Sequence, residues 1–185
     1  MKQHKIFIAL IFINTAFSSA QTKPGVYLTT EDFINHKISY TNSIKIRLNE
    51  LFASAKIKII DSGKTISLNK NQIFGYHDKR NINYRFFKNE LYEIITSQPW
   101  LVYKHVKFST LQNRKGAIQQ VEYFFSKTVH SELQFLSKEN LKKAFPDNET
   151  FHLLLESIKN EETLAYYDSG FKSLKVIYLY EKSLK

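Results

Sequence analysis

The run IFGYHDKRNINYRFFKNELYEI, residues 73–94, decides how the chain is read. Apolar and aromatic residues recur at alternate positions, and the interruptions HDKRN and KNE are rich in residues that turn a chain. This is the pattern of antiparallel strands joined by tight turns. Between Ile73 and Phe87 the same run gathers one histidine, one aspartate, two arginines and two tyrosines, which raises a second reading, a catalytic cluster.

Hairpin geometry separates the two readings. With Lys79-Arg80 as a two-residue turn, Asp78 faces Asn81, His77 faces Ile82, Tyr76 faces Asn83, Gly75 faces Tyr84 and Phe74 faces Arg85. Successive side chains point to opposite sides of a sheet, so His77 and Asp78 diverge and form no dyad. Tyr84 is then expected to cover the bare backbone of Gly75. Arg85 is expected to stack on the ring of Phe74 or Tyr76. A second turn at Asn89-Glu90 would set Phe87 opposite Tyr92 and Arg85 opposite Ile94. A slip of one residue would exchange the faces. The charged tip is left exposed, and Asp78, Lys79, Arg80 and Asn81 are the expected binding residues. Arg114 and Lys115, in the basic loop STLQNRKGA, join them as candidates.

Outward from this hairpin the alternation continues. Ile44, Ile46 and Leu48 alternate with Lys45 and Arg47, and KIKII and KTISL flank the turn signal Asp-Ser-Gly. Further strands are expected at 73–78, 82–88, 91–96, 100–108 and 118–126, with a short one at 133–136. Near the start, VYL reads as extended and TTEDF as a capped helix start. From Ser137 the period changes. SKENLKKAF has a serine cap, Pro146 stops that helix, and ETFHLLLESIKN places Phe151, Leu154, Leu155 and Ile158 on one stripe. EETLAYYDS is also expected to be helical, while FKSLKVIYLYEKS reads two ways: Phe171, Leu174 and Tyr178 fit a helix, the favoured reading, and VIYLY is rich in strand formers. The sum is an α+β fold: an antiparallel, meander-like sheet of about six to eight strands followed by C-terminal helices. One domain over residues 21–185, strand-rich at 44–136 and helical at 137–185, is the economical organisation.

Residues 1–20 read as a signal peptide. MKQHK is cationic, IFIALIFINTAF is apolar but too short to span hydrocarbon, and Ser18 and Ala20 suit cleavage before Gln21. The expected location is therefore periplasmic or extracellular, with no transmembrane segment in the mature chain. The formal net charge is +10, of which Lys2 and Lys5 in the leader contribute two. Basic charge favours anionic partners, here anionic envelope glycolipid or polysaccharide, since export disfavours nucleic acid. The chain has no cysteine, which excludes disulfides, thiol nucleophiles and thiolate zinc sites.

Catalytic motifs are sparse. His36, His77, His105, His130 and His152 show no metal-ligand spacing. There is no G-x-S-x-G elbow and no glycine-rich phosphate loop, and no cofactor is expected. Glu31 and Asp32 suit the first turn of a helix. An enzyme would need partners from distant positions, such as His77 or His105 with Glu93 or Glu122, or a carboxylate pair drawn from Glu93, Glu122 and Glu132.

Three blocks, PGVYLTTEDFINHK, NQIFGYHDKRNINYRFFKNELYEI and LKKAFPDNETFHLLLESI with LAYYD downstream, resemble a group of small exported proteins of Bacteroidetes-type bacteria. The resemblance implies export and a shared fold, and implies no activity. The expectation is a soluble, exported, non-enzymatic binding or envelope-associated accessory domain. An exported hydrolase with a site assembled from distant residues is the alternative.

Overall fold

The computed structural model describes residues 23–41, 43–47, 54–110 and 117–185. The largest of its sheets has seven antiparallel strands in the order β1-β5-β6-β7-β8-β9-β10. These are β1 (Gly25–Tyr27), β5 (Gly75–His77), β6 (Asn83–Phe87), β7 (Glu90–Thr96), β8 (Leu101–Thr110), β9 (Ala117–Ser126) and β10 (Gln134–Phe135). Between β1 and β5 the chain makes a short helix, α1 (Thr30–Ile34), and a three-stranded sheet of β2 (Ser43–Arg47), β3 (Lys56–Asp61) and β4 (Lys64–Asn69). After β10 come α2 (Lys138–Ala144), α3 (Glu149–Glu156), the small pair β11 (Tyr167–Asp168) and β12 (Ser173–Leu174), and α4 (Lys175–Lys182). The expected α+β class is what forms, a meander from β5 to β10 with helices mostly toward the C-terminus. Leu48, expected in β2, lies outside the described residues, as do residues 1–20.

Local chemistry sets the turns. Thr29 caps α1 in a full capping box with Asp32. Ser62 and Gly63 both have positive φ, 47° and 79°, giving the β3–β4 hairpin the two-residue turn that suits strand twist. Lys88 and Asn89, at 51° and 66°, do the same between β6 and β7. The second turn therefore falls one residue earlier than expected, and Arg85 faces Tyr92 rather than Ile94.

The first hairpin also departs from expectation. Its loop has three residues, Lys79, Arg80 and Asn81, not two. The Asn81 N–H donates to the Asp78 carbonyl (3.1 Å) and the Asp78 N–H to the Ile82 carbonyl (2.9 Å). Asn81 takes φ 66°, the left-handed geometry that asparagine tolerates best after glycine. The partners become Gly75↔Arg85, Tyr76↔Tyr84 and His77↔Asn83. The one-residue shift moves every β6 side chain to the face opposite the expected one.

The two faces of the large sheet bury different things. On the first, Tyr76, Tyr84 and Phe86 pack with Val26 and with Ile57 and Ile59 of the small sheet. Tyr76 and Tyr84 stack directly across the strands at 4.7 Å and 8°. Farther along that face, Val102, Phe125 and Trp100 pack beneath Leu141, Phe151, Leu155, Val176 and Leu179 of the helices. On the second face, Tyr27, Phe33, Phe74, Tyr92 and Tyr103 form a third cluster, joined by Val129 and Leu133.

Two C-terminal expectations change. EETLAYYDS forms a 3-10 turn, Glu161–Ala165, and then strand β11. FKSLKVIYLYEKS does form a helix, α4, over VIYLY, but contributes the short strand β12 before it. The cause is Asp168, whose Oδ1 accepts from the Gly170 (2.8 Å) and Phe171 (3.3 Å) N–H groups and so reverses the chain.

Gly75 is required by close approach. A Cβ there would lie 1.8 Å from the Tyr84 carbonyl oxygen and 2.9 Å from its carbon, both backbone atoms. Gly75→Ala is expected to destabilise the protein by about 1–3 kcal/mol, the cost of overpacking a filled site. Urea unfolding followed by circular dichroism measures this, and an unchanged midpoint would contradict the register.

Candidate functional site

The hairpin tip is held together by its own polar groups. Asp78 Oδ1 accepts from the Arg80 (2.8 Å) and Ile82 (3.0 Å) N–H groups, while Oδ2 accepts from Arg80 Nε at 2.8 Å. Arg80 also donates to the Tyr84 hydroxyl (2.8 Å). The Asp78 side chain is only 14% exposed, against 64% for Arg80, so the carboxylate serves the turn while the guanidinium lies across it. Burial pushes the Asp78 carboxyl up. Bonds from the Ile82 N–H, the Arg80 side chain and the Arg80 N–H, with the Arg80 charge, outweigh it and hold the pKa below its ordinary 3.8. Lys79 is exposed and in no ion pair among the described residues. Arg114 and Lys115 lie outside the described residues.

Other polar residues of the hairpin line the second face. His77 Nδ1 sits 2.8 Å from Asn83 Oδ1, which also accepts from the Tyr27 hydroxyl at 2.9 Å. An amide oxygen only accepts, so Nδ1 carries the proton. Arg85 is buried. It donates to the Tyr103 hydroxyl (2.9 Å) and the Ser131 carbonyl (3.2 Å), and it lies over Phe74, Phe87 and Tyr103. The stacking on Phe74 is as expected from sequence. The bond to Ser131, from a segment far along the chain, is not readable there.

The pleat decides which catalytic pairings are assembled. Glu93 pairs with Tyr84 and Lys104 on the first face, away from His77 and His105. His105 and Glu122 are register partners on the second face. His105 is 4% exposed, and its Nδ1–H donates to the Leu91 carbonyl at 2.8 Å. Its ring stacks on Tyr92 at 4.6 Å, and its Nε2 lies 3.9 Å from Glu90 Oε2. Glu122 is engaged by Lys107 at 2.7 Å. Burial, then the Glu90 and Glu122 charges, push the Tyr92 hydroxyl up. Among the described residues no group of three or more histidines and acids is placed to hold a metal.

A different surface collects unpaired charge. In the small sheet, Ile57 and Ile59 turn inward and are fully buried, which leaves Lys56 and Lys58 exposed on the outside. The residues opposite them are Asn69 and Ser67 on β4. On β2, Arg47 stands opposite Lys58 and Lys45 opposite Ile60. Of the described side chains on that outer face, at 56, 58, 60, 65, 67 and 69, none is acidic. Lys56 and Lys58 enter no ion pair among the described residues. The KIKII alternation carried this signal, but strand order was needed to bring β2 beside it.

No protein-family model matches the chain, and neither a curated protein nor a solved structure matches it.

A carboxyl with a folded-state pKa below its unfolded value stabilises the fold above that unfolded value. The contribution is lost as pH falls through the folded one. Wild-type stability is therefore expected to fall as pH drops below about 4. The fall should be shallower in Asp78→Asn, which keeps an acceptor for the two N–H groups. Asp78→Ala should cost about 1 kcal/mol even at neutral pH, as a lost cap does. Denaturation midpoints between pH 2.5 and 7 test both, and parallel wild-type and Asp78→Asn curves would refute the role.

Proposed function

We propose that the protein is an exported, non-enzymatic binding domain that engages acidic polysaccharide of the cell envelope through the outer face of β2–β4. The observation that carries the reading is the pair of exposed cations Lys56 and Lys58 on that face, with Arg47 opposite Lys58 in the register. Neighbouring strands lie about 4.7–4.9 Å apart, and alternate residues along a strand about 6–7 Å. The cations are thus spaced to meet repeated anionic groups on a polymer. A bound polyanion would also neutralise the neighbouring charges of Lys56 and Lys58.

A linear polymer suits the face better than a lipid surface. Basic segments that hold membranes combine charge with apolar side chains that insert, and among the described side chains of this face Ile60, half-buried, is the one that is apolar. Single-stranded nucleic acid is read by stacking on aromatic rings, and the described residues of the face include none. The signal-peptide pattern of residues 1–20 supports export.

An exported hydrolase is the second reading, favoured by the His105–Glu122 pairing and by Glu90 at 3.9 Å. The bonds that occupy His105 Nδ1 and Glu122 suit a packed structural pair.

One experiment covers both. Polygalacturonate, vesicles containing phosphatidylglycerol and duplex DNA are offered to the protein at low and physiological salt. Polygalacturonate is expected to bind best, to weaken steeply with salt, and to lose at least about tenfold in affinity in Lys56→Glu/Lys58→Glu. Salt-independent binding, no binding, or full binding by that variant would sink the proposal. New reducing ends that appear with wild type and vanish in His105→Gln would support the hydrolase instead.

A further inference from the structure

A separate cleft opens where the end of the large sheet meets the helices. It has a volume of about 570 Å³ and is lined by Lys127, Phe145, Asp147, Glu149 and Tyr180 among others. That size is within the range of small-ligand sites. Its charges are of both signs and are not spent on each other. Among the described residues, Lys127 contacts the Phe145 ring (5.2 Å) and forms no ion pair, and Asp147 and Glu149 form none either. The cation and the acids therefore stand apart within one cavity, each open to a partner of opposite sign.

The wall behind them is aromatic. Phe145 and Tyr180 lie 4.9 Å apart, and both pack on Trp100, at 5.7 and 6.1 Å. Trp100 is 2% exposed, and its indole N–H is buried with no hydrogen-bond partner. A buried donor without an acceptor is uncommon. The Trp100 ring packs behind the two rings that form the cleft wall and is not itself part of the lining.

We propose that this cleft binds a short peptide with both termini free, its carboxylate toward Lys127 and its ammonium toward Asp147 and Glu149. A ligand carrying both charges matches the lining better than an anion, which the acids would repel, or a cation, which Lys127 would repel. The peptide's side chains would rest on Phe145 and Tyr180. The site is distant in sequence from β2–β4 and independent of polysaccharide binding.

Trp100 is the only tryptophan of the chain, so its emission reports on this wall alone. The full chain is titrated with L-alanyl-L-alanine, with its N-acetyl form and with its amide, and followed by calorimetry and by Trp100 fluorescence. The expected result is saturable binding of the free dipeptide with a shift in Trp100 emission. Acetylation, amidation, Lys127→Met or Asp147→Asn/Glu149→Gln should each weaken it about tenfold. These residues are exposed, so melting temperatures of the variants should match wild type. No binding up to about 10 mM, where the binding energy has fallen below roughly 3 kcal/mol, overturns the proposal. So do equal binding of the capped peptides and heat without a change in Trp100 emission.

Discussion

The carboxylate of Asp78 closes a three-residue loop, and that loop sets the register of the sheet. Its oxygens accept from two backbone N–H groups and from Arg80, and Asn81 supplies the left-handed residue that follows. One residue fewer would turn β6 over. Tyr84 and Phe86 would then leave the interface with the small sheet, and Arg85 would leave Tyr103 and Ser131. A few charge-assisted bonds at an exposed tip therefore govern how the residues of β6 are shared between the two faces.

The same register explains why residues adjacent in the string do not make a site. His77 belongs with Asn83 and Tyr27 on one side of the sheet, while the Asp78 carboxylate is occupied with its own turn. Arg85 is buried among aromatic rings and neutral oxygens. A guanidinium in such a place is tolerated because its donors are met and its plane lies on the rings.

Much of the architecture was legible because it is written in short periods. The alternation from Ile73 to Ile94, the Asp-Ser-Gly turn, the Thr29 and Ser137 caps and the stop at Pro146 all act within a few residues of themselves. The hairpin register was less legible, because two- and three-residue loops use the same residue types and differ by the φ of Asn81. The C-terminal pair β11–β12 was hidden for a related reason: Asp168 reverses the chain by side-chain bonds that a helical reading of LAYYD does not weigh. The cationic face and the cleft depend on elements far apart in sequence. Lys127 and Glu149 are neighbours of one cavity only once β9 and α3 have packed. Alternation at Lys56 and Lys58 marks an exposed side but says nothing of which strand lies next to it.

The insertion of β2–β4 between β1 and β5 has a kinetic side. Every other neighbour in the large sheet is joined by a local connection, whereas Gly25 pairs with His77 across the whole small sheet. Loop-closure entropy grows with the length enclosed, so this is the costliest pairing in the sheet to nucleate. The small sheet shortens the effective loop once its own hairpin has formed, since β3 and β4 already bury Ile57 and Ile59 against β5 and β6. Tyr27 and Phe33 can close over Phe74 only after β1 arrives. The second face is thus closed by the element nearest the start of the described chain.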